Sequence, residues 1–277
     1  MNLKEKYIEL RKNNSAIIAA NFYNLETLKG LLIAANEQNS SVILQLSKSS
    51  IDYMGLKTSV AMAKAALEEY NVQGWLHLDH GNSYELVRNC LDAGFDSVMI
   101  DGSELSFDEN VVLTCRVVEA AKKYNVPVEA ELGFIAKLGQ DHDKGDKFTK
   151  TEEARLFVEQ TKVDALAIAI GTAHGFYKET PKLDFGRLKE IKSVLPNTAL
   201  VLHGSSGIPH EDIERAIALG ISKINVATEF KDIFMKSLKE ILNSTDNIDI
   251  RQTFPGAIRK VTELAKTKLN LTKQKEL

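Results

Sequence analysis

Three histidines in the sequence each lie within a few residues of the end of a predicted β-strand. They are His80, His174 and His203, in the contexts HLDHG, GTAHG and LHGSSG. A glycine follows each one, so the chain can turn immediately and leave the imidazole at the rim of a sheet. Three imidazoles from separate strands, with Asp79 beside the first, predict an open zinc site with a carboxylate nearby. This combination favours a metal-assisted lyase or hydrolase over a structural zinc protein.

Short apolar runs rich in β-branched residues alternate with longer amphipathic stretches along the chain. Eight of the short runs are predicted to be strands: 16–20, 42–46, 74–78, 97–100, 128–132, 165–170, 199–202 and 223–226. Strands that are apolar on both faces, each followed by a helix, indicate a parallel sheet covered by helices. Eight such units predict an α/β fold, a TIM (β/α)8 barrel. An open doubly wound sheet is the alternative, but no glycine-rich dinucleotide loop follows the first strand.

The composition indicates one soluble, cytoplasmic domain over residues 1–277. A hydrophobic content of 44% can form a full core, and a net charge of −3 argues against nucleic acid or an anionic membrane as partner. Cys90 and Cys115 are expected to be reduced, and no run could span a bilayer. Two segments depart from the alternation of predicted strands and helices. One is a polar loop at 133–150, which is expected to be flexible. The other is a C-terminal extension at 243–277 with an added helix at 255–269.

Polar residues are concentrated at the ends of the predicted strands, where barrel enzymes have their active sites. These residues are Asn21, Ser47, Asp79, His80, Asp101, Ser103, Glu131, His174, His203, Ser205, Asn225 and Thr228. Buried polar atoms need partners, so such a ring is unusual outside a functional site. His77 is expected to be packed near Asp79, whereas His142 and His210 are expected to be solvated. No lysine ends an inner strand, so a Schiff-base mechanism is not expected.

Two turns rich in small residues predict a phosphate site. HGSSG at 203–207 follows the seventh strand and NVAT at 225–228 follows the eighth. Barrels often bind phosphate at this place, through backbone N–H groups and a helix N-terminus. Ordinary turns between a strand and a helix are the alternative interpretation. Lys48 or Arg251 could meet a second anionic group, although either is equally explained as a surface charge.

With these motifs in view, the chain resembles the class II, zinc-dependent ketose-bisphosphate aldolases. The matching stretches are NFYNLET, HLDHGNS, AGFDSVMIDGS, VPVEAELG, GTAHGFY, LDFGRL, VLHGSSGIP and GISKINVATE, followed by a D-x-R segment at 249–251. They occur in the family's order, cover nearly the whole chain and are highly specific as a set. GTAHG and NVAT favour the tagatose-bisphosphate type. DHGNS and VMIDGS favour the fructose-bisphosphate type and a related aldolase of inositol breakdown.

The resemblance implies a role for each matching residue. His80, His174 and His203 would bind one catalytic zinc, and Asp79 would exchange a proton with the C4 oxygen. Asp101 and Glu131 would line the site as a secondary or resting position for the metal, or for a second divalent or monovalent cation. The remaining substrate-binding residues would be Asn21, Ser47, Gly175, Gly204, Ser205, Ser206, Asn225, Ala227 and Thr228, with Arg251 reaching the far phosphate across a dimer interface.

The loop after the fifth strand departs from the family pattern. Relatives commonly have a glycine pair and then an acidic run whose glutamate handles the C3 proton. This chain has FIAKLGQDHD, with Asp141 where that glutamate is expected. We therefore expect Asp141 to be the C3 base, and Asp143 to be the first substitute.

The resemblance implies a zinc-dependent lyase of glycolysis or related sugar metabolism. It would reversibly cleave D-fructose or D-tagatose 1,6-bisphosphate to dihydroxyacetone phosphate and D-glyceraldehyde 3-phosphate, as a homodimer or homotetramer. One alternative is an aldolase for another ketose, such as the deoxy-keto-gluconate phosphate of inositol breakdown. Another is a zinc hydrolase, although the first strand ends in AANFYN and not in an H-x-H pair. The altered loop alone suggests a non-catalytic sugar-phosphate-binding paralogue.

Overall fold

Eight parallel strands close into a barrel in chain order. The computed structural model describes residues 1–135, 148–177 and 179–272. Its strands are β1 (Ile17–Asn21), β2 (Val42–Ser47), β3 (Gly74–Gly81), β4 (Ser97–Ile100), β5 (Val128–Leu132), β6 (Ala165–Ile168), β7 (Ala199–Leu202) and β8 (Ile221–Val226). Because β1 pairs with both β2 and β8, the sheet has no free edge. The predicted TIM barrel is confirmed, and β4, β5 and β7 have the predicted bounds.

Helices surround the barrel: most cover the outer face of the sheet, and the first packs across its N-terminal end. In the described part of the chain they are α1 (Leu3–Lys12), α2 (Leu25–Glu37), α3 (Lys48–Met54), α4 (Leu56–Glu69), α5 (Tyr84–Ala93), α6 (Phe107–Lys122), α7 (Thr151–Thr161), α8 (Phe185–Val194), α9 (His210–Ala218), α10 (Thr228–Asn243) and α11 (Ile250–Asn270). Local capping determines where several begin: Asn24 and Thr27 form a capping box at α2, and Ser106 and Glu109 form one at α6. The helices and the outward strand residues share one large apolar core.

The inward faces of the strands form layers of different polarity. At the N-terminal end, α1 packs into the barrel mouth and forms a separate apolar cluster composed of Leu3, Tyr7, Leu10, Ile17, Ala19, Ile43, Trp75, Ala165, Ala167, Ala199 and Val201. Above it lie the buried polar residues Gln45, His77, Ser97, Glu129 and Lys223. The prediction that the strands are apolar on both faces is therefore wrong for the middle of the barrel. The predicted packing of His77 is confirmed.

The added C-terminal helix is present and is longer than predicted. It spans Ile250–Asn270 and packs against α2 and α10. Close approach to α2 depends on Gly30, because a Cβ atom there would lie 2.6 Å from Cγ1 of Val261 and 3.1 Å from the backbone oxygen of Ile258. Val261 is fully buried, so it cannot move aside easily.

Several other predictions concern general properties of the chain. Cys90 and Cys115 are free thiols, as expected. No helix among the described residues is long and apolar enough to cross a membrane. The extent of a single domain over 1–277 stays a prediction. Within the predicted flexible loop, residues 136–147 lie outside the described residues.

We predict that Gly30→Ala lowers the free energy of unfolding by about 1–3 kcal/mol, because the new methyl group overpacks the contact between α2 and α11. Gly186→Ala is the matched control. It also lies in a helix, and its Cβ would meet its nearest neighbour, Oδ1 of Asp184, at 3.4 Å. Helix propensity should make that variant more stable by up to about 1 kcal/mol. Urea unfolding measures both changes, and equal stabilisation of the two variants would contradict the packing argument.

Candidate active site

The three histidines of the sequence motifs lie together at the C-terminal end of the barrel. His80 is the seventh residue of β3, His174 lies in the connection after β6, and His203 directly follows β7. The centroid of the His80 ring lies 4.9 Å from that of His174 and 4.7 Å from that of His203. One ring nitrogen from each histidine can be chosen so that all three lie within 4.8 Å of one another. These distances bring the predicted trio into one cluster.

An irregularity in β3 allows two consecutive residues to reach this cluster. Neighbouring strand residues normally point to opposite faces of a sheet. His80 has a φ of +48°, and the β3–β4 register shifts between Leu78 and Gly81. Asp79 keeps the inward direction of His77, and the kink turns His80 towards the site as well. A backbone of this kind costs free energy and occurs often at functional sites.

Two of the histidines are oriented by carboxylates on the side away from the cluster centre. Nδ1 of His80 lies 2.7 Å from Oδ2 of Asp101, and Nε2 of His203 lies 2.9 Å from Oε1 of Glu129. The other two ring nitrogens, Nε2 of His80 and Nδ1 of His203, face each other at 3.0 Å. Metal-binding histidines are commonly held by carboxylates in this way. The donor set therefore fits a divalent metal ion.

Glu131 strengthens the fit to a cation. Its side chain is buried, and its Oε2 atom has no hydrogen-bond partner among the described residues. Burial and the nearby Asp101 raise the pKa of Glu131 to about 8. Burial opposes the charged form of His80, but Asp79 and the other two carboxylates outweigh it and raise the pKa of His80 to about 10. A cation at the centre would favour ionised carboxylates, so the charges suit metal binding.

Asp79 is buried beside the histidines and is held by two amide groups. Nδ2 of Asn21 donates to one carboxylate oxygen at 2.9 Å, and Nδ2 of Asn225 donates to the other at 3.1 Å. Gln45 in turn donates to Oδ1 of Asn21 at 2.9 Å. Burial opposes ionisation of Asp79, but His80 and the other positive groups outweigh it and lower the pKa of Asp79 below its usual range. The carboxylate is thus fixed in its ionised form and can accept a proton.

The predicted substrate residues line two adjoining cavities. The larger has a volume of about 820 Å³, and Ser47, Asp101 and Glu131 are among its lining residues. The smaller is lined by Asn21, Asp79, His80, His174, Gly175, Gly204, Ser205, Ser206, Asn225, Ala227 and Thr228. His80, His174, Gly175 and Thr228 belong to both linings. The candidate metal cluster therefore lies where the two cavities meet.

The turns predicted to hold phosphate are tied to one another. Oη of Tyr177 accepts the backbone N–H of Ala173 at 2.6 Å and donates to the backbone oxygen of Gly204 at 2.8 Å. Oγ of Ser205 donates to the backbone oxygen of Asn225 at 2.5 Å. Gly204 has a φ of +63°, and a Cβ there would lie 2.5 Å from the oxygen of Ala173. A side chain at this position would therefore separate the two turns.

The C-terminal helix α11 contacts the turn after β7 indirectly, through Glu229 of α10. The backbone N–H of Gly207 donates to Oε1 of Glu229 at 2.7 Å. Oε2 of Glu229 forms an ion pair at 2.5 Å with Lys268 of α11, which is almost fully buried. Thr228, the residue before Glu229, begins α10, so backbone N–H groups of that helix point towards the turns. An anion placed there would meet the positive end of the α10 dipole.

Two predicted site residues are not brought to the cavities. Arg251 is 87% exposed at the start of α11, where it forms an ion pair with Asp249. Lys48 is likewise exposed and pairs with Asp52. Asp141, the expected C3 base, lies outside the described residues, as do His142 and Asp143.

Several residues of the site were not identified from the sequence. Glu129, Lys223 and Gln45 each lie two positions before a predicted rim residue, so they point inwards one layer deeper. A spacing of two residues from a predicted rim residue is therefore the sequence pattern that indicates these inward-facing positions. Tyr177 was included in a matching motif, GTAHGFY, but its hydroxyl contacts depend on the fold of two loops.

Comparison with known proteins agrees with this geometry. The family model for class-II fructose-bisphosphate aldolase matches residues 1–276. A fructose-bisphosphate aldolase of Geobacillus stearothermophilus is 43% identical over 254 residues, which cover 90% of this chain and 88% of that protein. Another, of Staphylococcus aureus, is 40% identical over 276 residues, covering 97% and 96%.

A solved structure supports the same assignment. The crystal structure of the YdjI aldolase from Escherichia coli K12 superposes with a TM-score of 0.87 at 32% sequence identity, covering 98% of this chain and 96% of that one. The resemblance identified from the sequence motifs is confirmed. The chain belongs to the class-II fructose-bisphosphate aldolase family, and it is an aldolase of the lyase class.

Proposed function

We propose that this aldolase binds one zinc ion at His80, His174 and His203 and reversibly cleaves a ketose 1,6-bisphosphate. The products are dihydroxyacetone phosphate and D-glyceraldehyde 3-phosphate. The observation that carries the proposal is the cluster of three imidazoles within 4.8 Å, with the ionised Asp79 buried beside it. D-Fructose 1,6-bisphosphate is the first candidate, because the relatives are named for it. The GTAHG and NVAT motifs make D-tagatose 1,6-bisphosphate the second.

Cleavage between C3 and C4 needs stabilisation of negative charge on one fragment and removal of a proton from the other. Zinc, when bound, supplies Lewis-acid stabilisation of the charge on the dihydroxyacetone phosphate half. Asp79 accepts the proton of the C4 hydroxyl as the aldehyde forms, and returns it in the condensation direction. Its two amide donors, Asn21 and Asn225, hold the carboxylate in place for that transfer. Asp101 and Glu131 would hold the metal in a secondary position or a second cation.

The phosphate of the dihydroxyacetone phosphate half is held by the interlinked turns. The groups that bind it are the backbone of 204–206 and 225–228 together with Gly175 and the start of α10. Asn21 and Ser47 line the adjoining space. We assign the far phosphate to Arg251 of a second copy in a homodimer or homotetramer, since the guanidinium is exposed in this chain. Asp141 is proposed as the C3 base.

A coupled assay with both bisphosphates tests the function. The purified protein should cleave D-fructose 1,6-bisphosphate, lose activity when treated with a chelator, and regain it when zinc is added. Measuring kcat/KM for the fructose and tagatose compounds then decides between them. Full activity after complete removal of metal would refute the zinc site. Cleavage of neither compound by zinc-loaded protein would favour another phosphorylated ketose.

The role of Asp79 predicts a specific kinetic defect. Asp79→Ala should retain zinc but lower kcat by a factor of about 100 or more, because the C4 hydroxyl loses its proton acceptor. Metal analysis and turnover are measured on the same sample. Asp92→Ala, which removes an exposed carboxylate at the end of α5, is the control and should leave both unchanged. A parallel loss of zinc and activity in Asp79→Ala would make Asp79 a metal ligand.

The raised pKa values predict how zinc affinity depends on pH. His80, with a pKa of about 10, is protonated at neutral pH without metal, and Glu131, with a pKa of about 8, is largely protonated as well. Zinc must displace the His80 proton, so its apparent affinity should rise as pH rises. The expected increase is about tenfold per pH unit for each proton released, between about pH 6 and pH 9. Chelator competition at several pH values measures it, and an affinity independent of pH would contradict the assigned charges.

A further inference from the structure

An ion pair is completely buried inside the barrel, one layer below the histidine cluster. Glu129 of β5 and Lys223 of β8 both have no exposed surface, and Nζ of Lys223 lies 2.7 Å from Oε2 of Glu129. The apolar layer closed by α1 lies beneath them. Burying two charges costs solvation free energy, and apolar residues of the same size often fill such a space with equal or greater stability. The pair therefore calls for an explanation other than packing.

The two oxygens of Glu129 have different partners. Oε2 is paired with Lys223, whereas Oε1 lies 2.9 Å from Nε2 of His203. An ionised carboxylate only accepts hydrogen bonds, so Nε2 of His203 must carry the hydrogen. The amide nitrogen of Asn225 also lies 3.1 Å from Nε2, and it carries two hydrogens, of which one is donated to Asp79. The contact of Nε2 with Glu129 is the shorter of the two, and it requires the hydrogen on Nε2 because the carboxylate cannot donate. Nδ1 of His203 is then left with a lone pair, on the side that faces His80.

The rest of the network has a single consistent direction of hydrogen bonding. The Lys223 ammonium only donates, so Nε2 of His77, at 3.2 Å, accepts from it. Nδ1 of His77 then carries the hydrogen and donates to Oγ of Ser97 at 2.8 Å. Oγ of Ser97 donates in turn to the backbone oxygen of Pro127 at 3.3 Å. Reversing His77 would leave the buried Lys223 with one acceptor fewer, so the network fixes the direction of hydrogen bonding around the Glu129–Lys223 ion pair.

We infer that Glu129, held by Lys223, is a positioning residue that selects the Nε2–H tautomer of His203 and so presents its Nδ1 to the metal. Glu129 touches neither metal nor substrate in this arrangement. It acts through His203, as carboxylates behind metal-binding histidines do elsewhere. Asp101 holds His80 in the same way from the other side of the cluster. The inference rests on the proposed metal site, and it explains why the barrel keeps a buried ion pair.

A double substitution tests whether Glu129 and Lys223 position His203 or only fill space inside the barrel. Glu129→Leu combined with Lys223→Met removes both charges and leaves a buried apolar pair, so the metal-free protein should keep most of its stability. Zinc affinity, measured by chelator competition, should fall about 10- to 100-fold, because nothing then holds His203. Glu263→Leu combined with Lys260→Met replaces an exposed ion pair on α11 in the same way. That control should bind zinc like the unmodified protein.

The outcomes distinguish this inference from the proposed function. If the unmodified protein fails to bind zinc, the metal site itself is wrong. If it binds zinc and the Glu129→Leu, Lys223→Met variant folds and binds equally tightly, the ion pair has no positioning role. A measurement on the unmodified protein covers the case in which that variant does not fold. Long-range nitrogen–proton NMR correlations of metal-free, histidine-labelled protein should show the Nε2–H tautomer of His203, and an Nδ1–H tautomer would overturn the inference.

Discussion

The alternation of side chains along closed parallel strands determines where the functional groups lie. Because the pairing of β1 with β8 leaves no edge, every second residue of each strand points into the barrel. Residues two positions apart therefore occupy successive layers: apolar at the bottom, charged in the middle and the histidine cluster at the top. A slip of one residue in any strand would turn its inward side chains outwards. The kink at His80 is the local exception that brings Asp79 and His80 to the same place.

The charged layers of the barrel depend on one another. A carboxylate lies behind two of the three histidines, Asp101 behind His80 and Glu129 behind His203. The deeper carboxylate is balanced by a lysine, and the shallower one lies close to solvent. The loops above are joined by separate contacts, from Tyr177 on one side and from α11 through Glu229 on the other. The histidine cluster and the turns after β7 and β8 thus share a support that extends from the barrel interior to the C-terminal helix.

The fold and the rim of the site could be predicted from the sequence, whereas the layer below could not. Strands β4, β5 and β7 were predicted to the residue, and the three histidines could be grouped because each precedes a glycine at a strand end. Glu129 and Lys223 could not be identified from the pattern, because each lies inside a short strand, VEAEL or ISKINV, where the sequence does not show what a buried charge pairs with. The two residues pair with each other although they lie 94 residues apart in the chain. The place of Arg251 could not be predicted, since it depends on how α11 packs, which leaves the side chain exposed beside Asp249.

Because the lower end of the barrel is closed, ligands can reach the site only from the upper end. His203 has no exposed surface, while His80 and His174 line the cavities at the upper end. In the proposed site, a metal ion arriving from solvent would therefore pass through the space that the sugar phosphate later occupies. Loading of that site would be ordered, with the ion first and the substrate second. An enzyme with its cavity occupied would retain its ion kinetically as well as by affinity, so metal exchange would belong to the interval between turnovers.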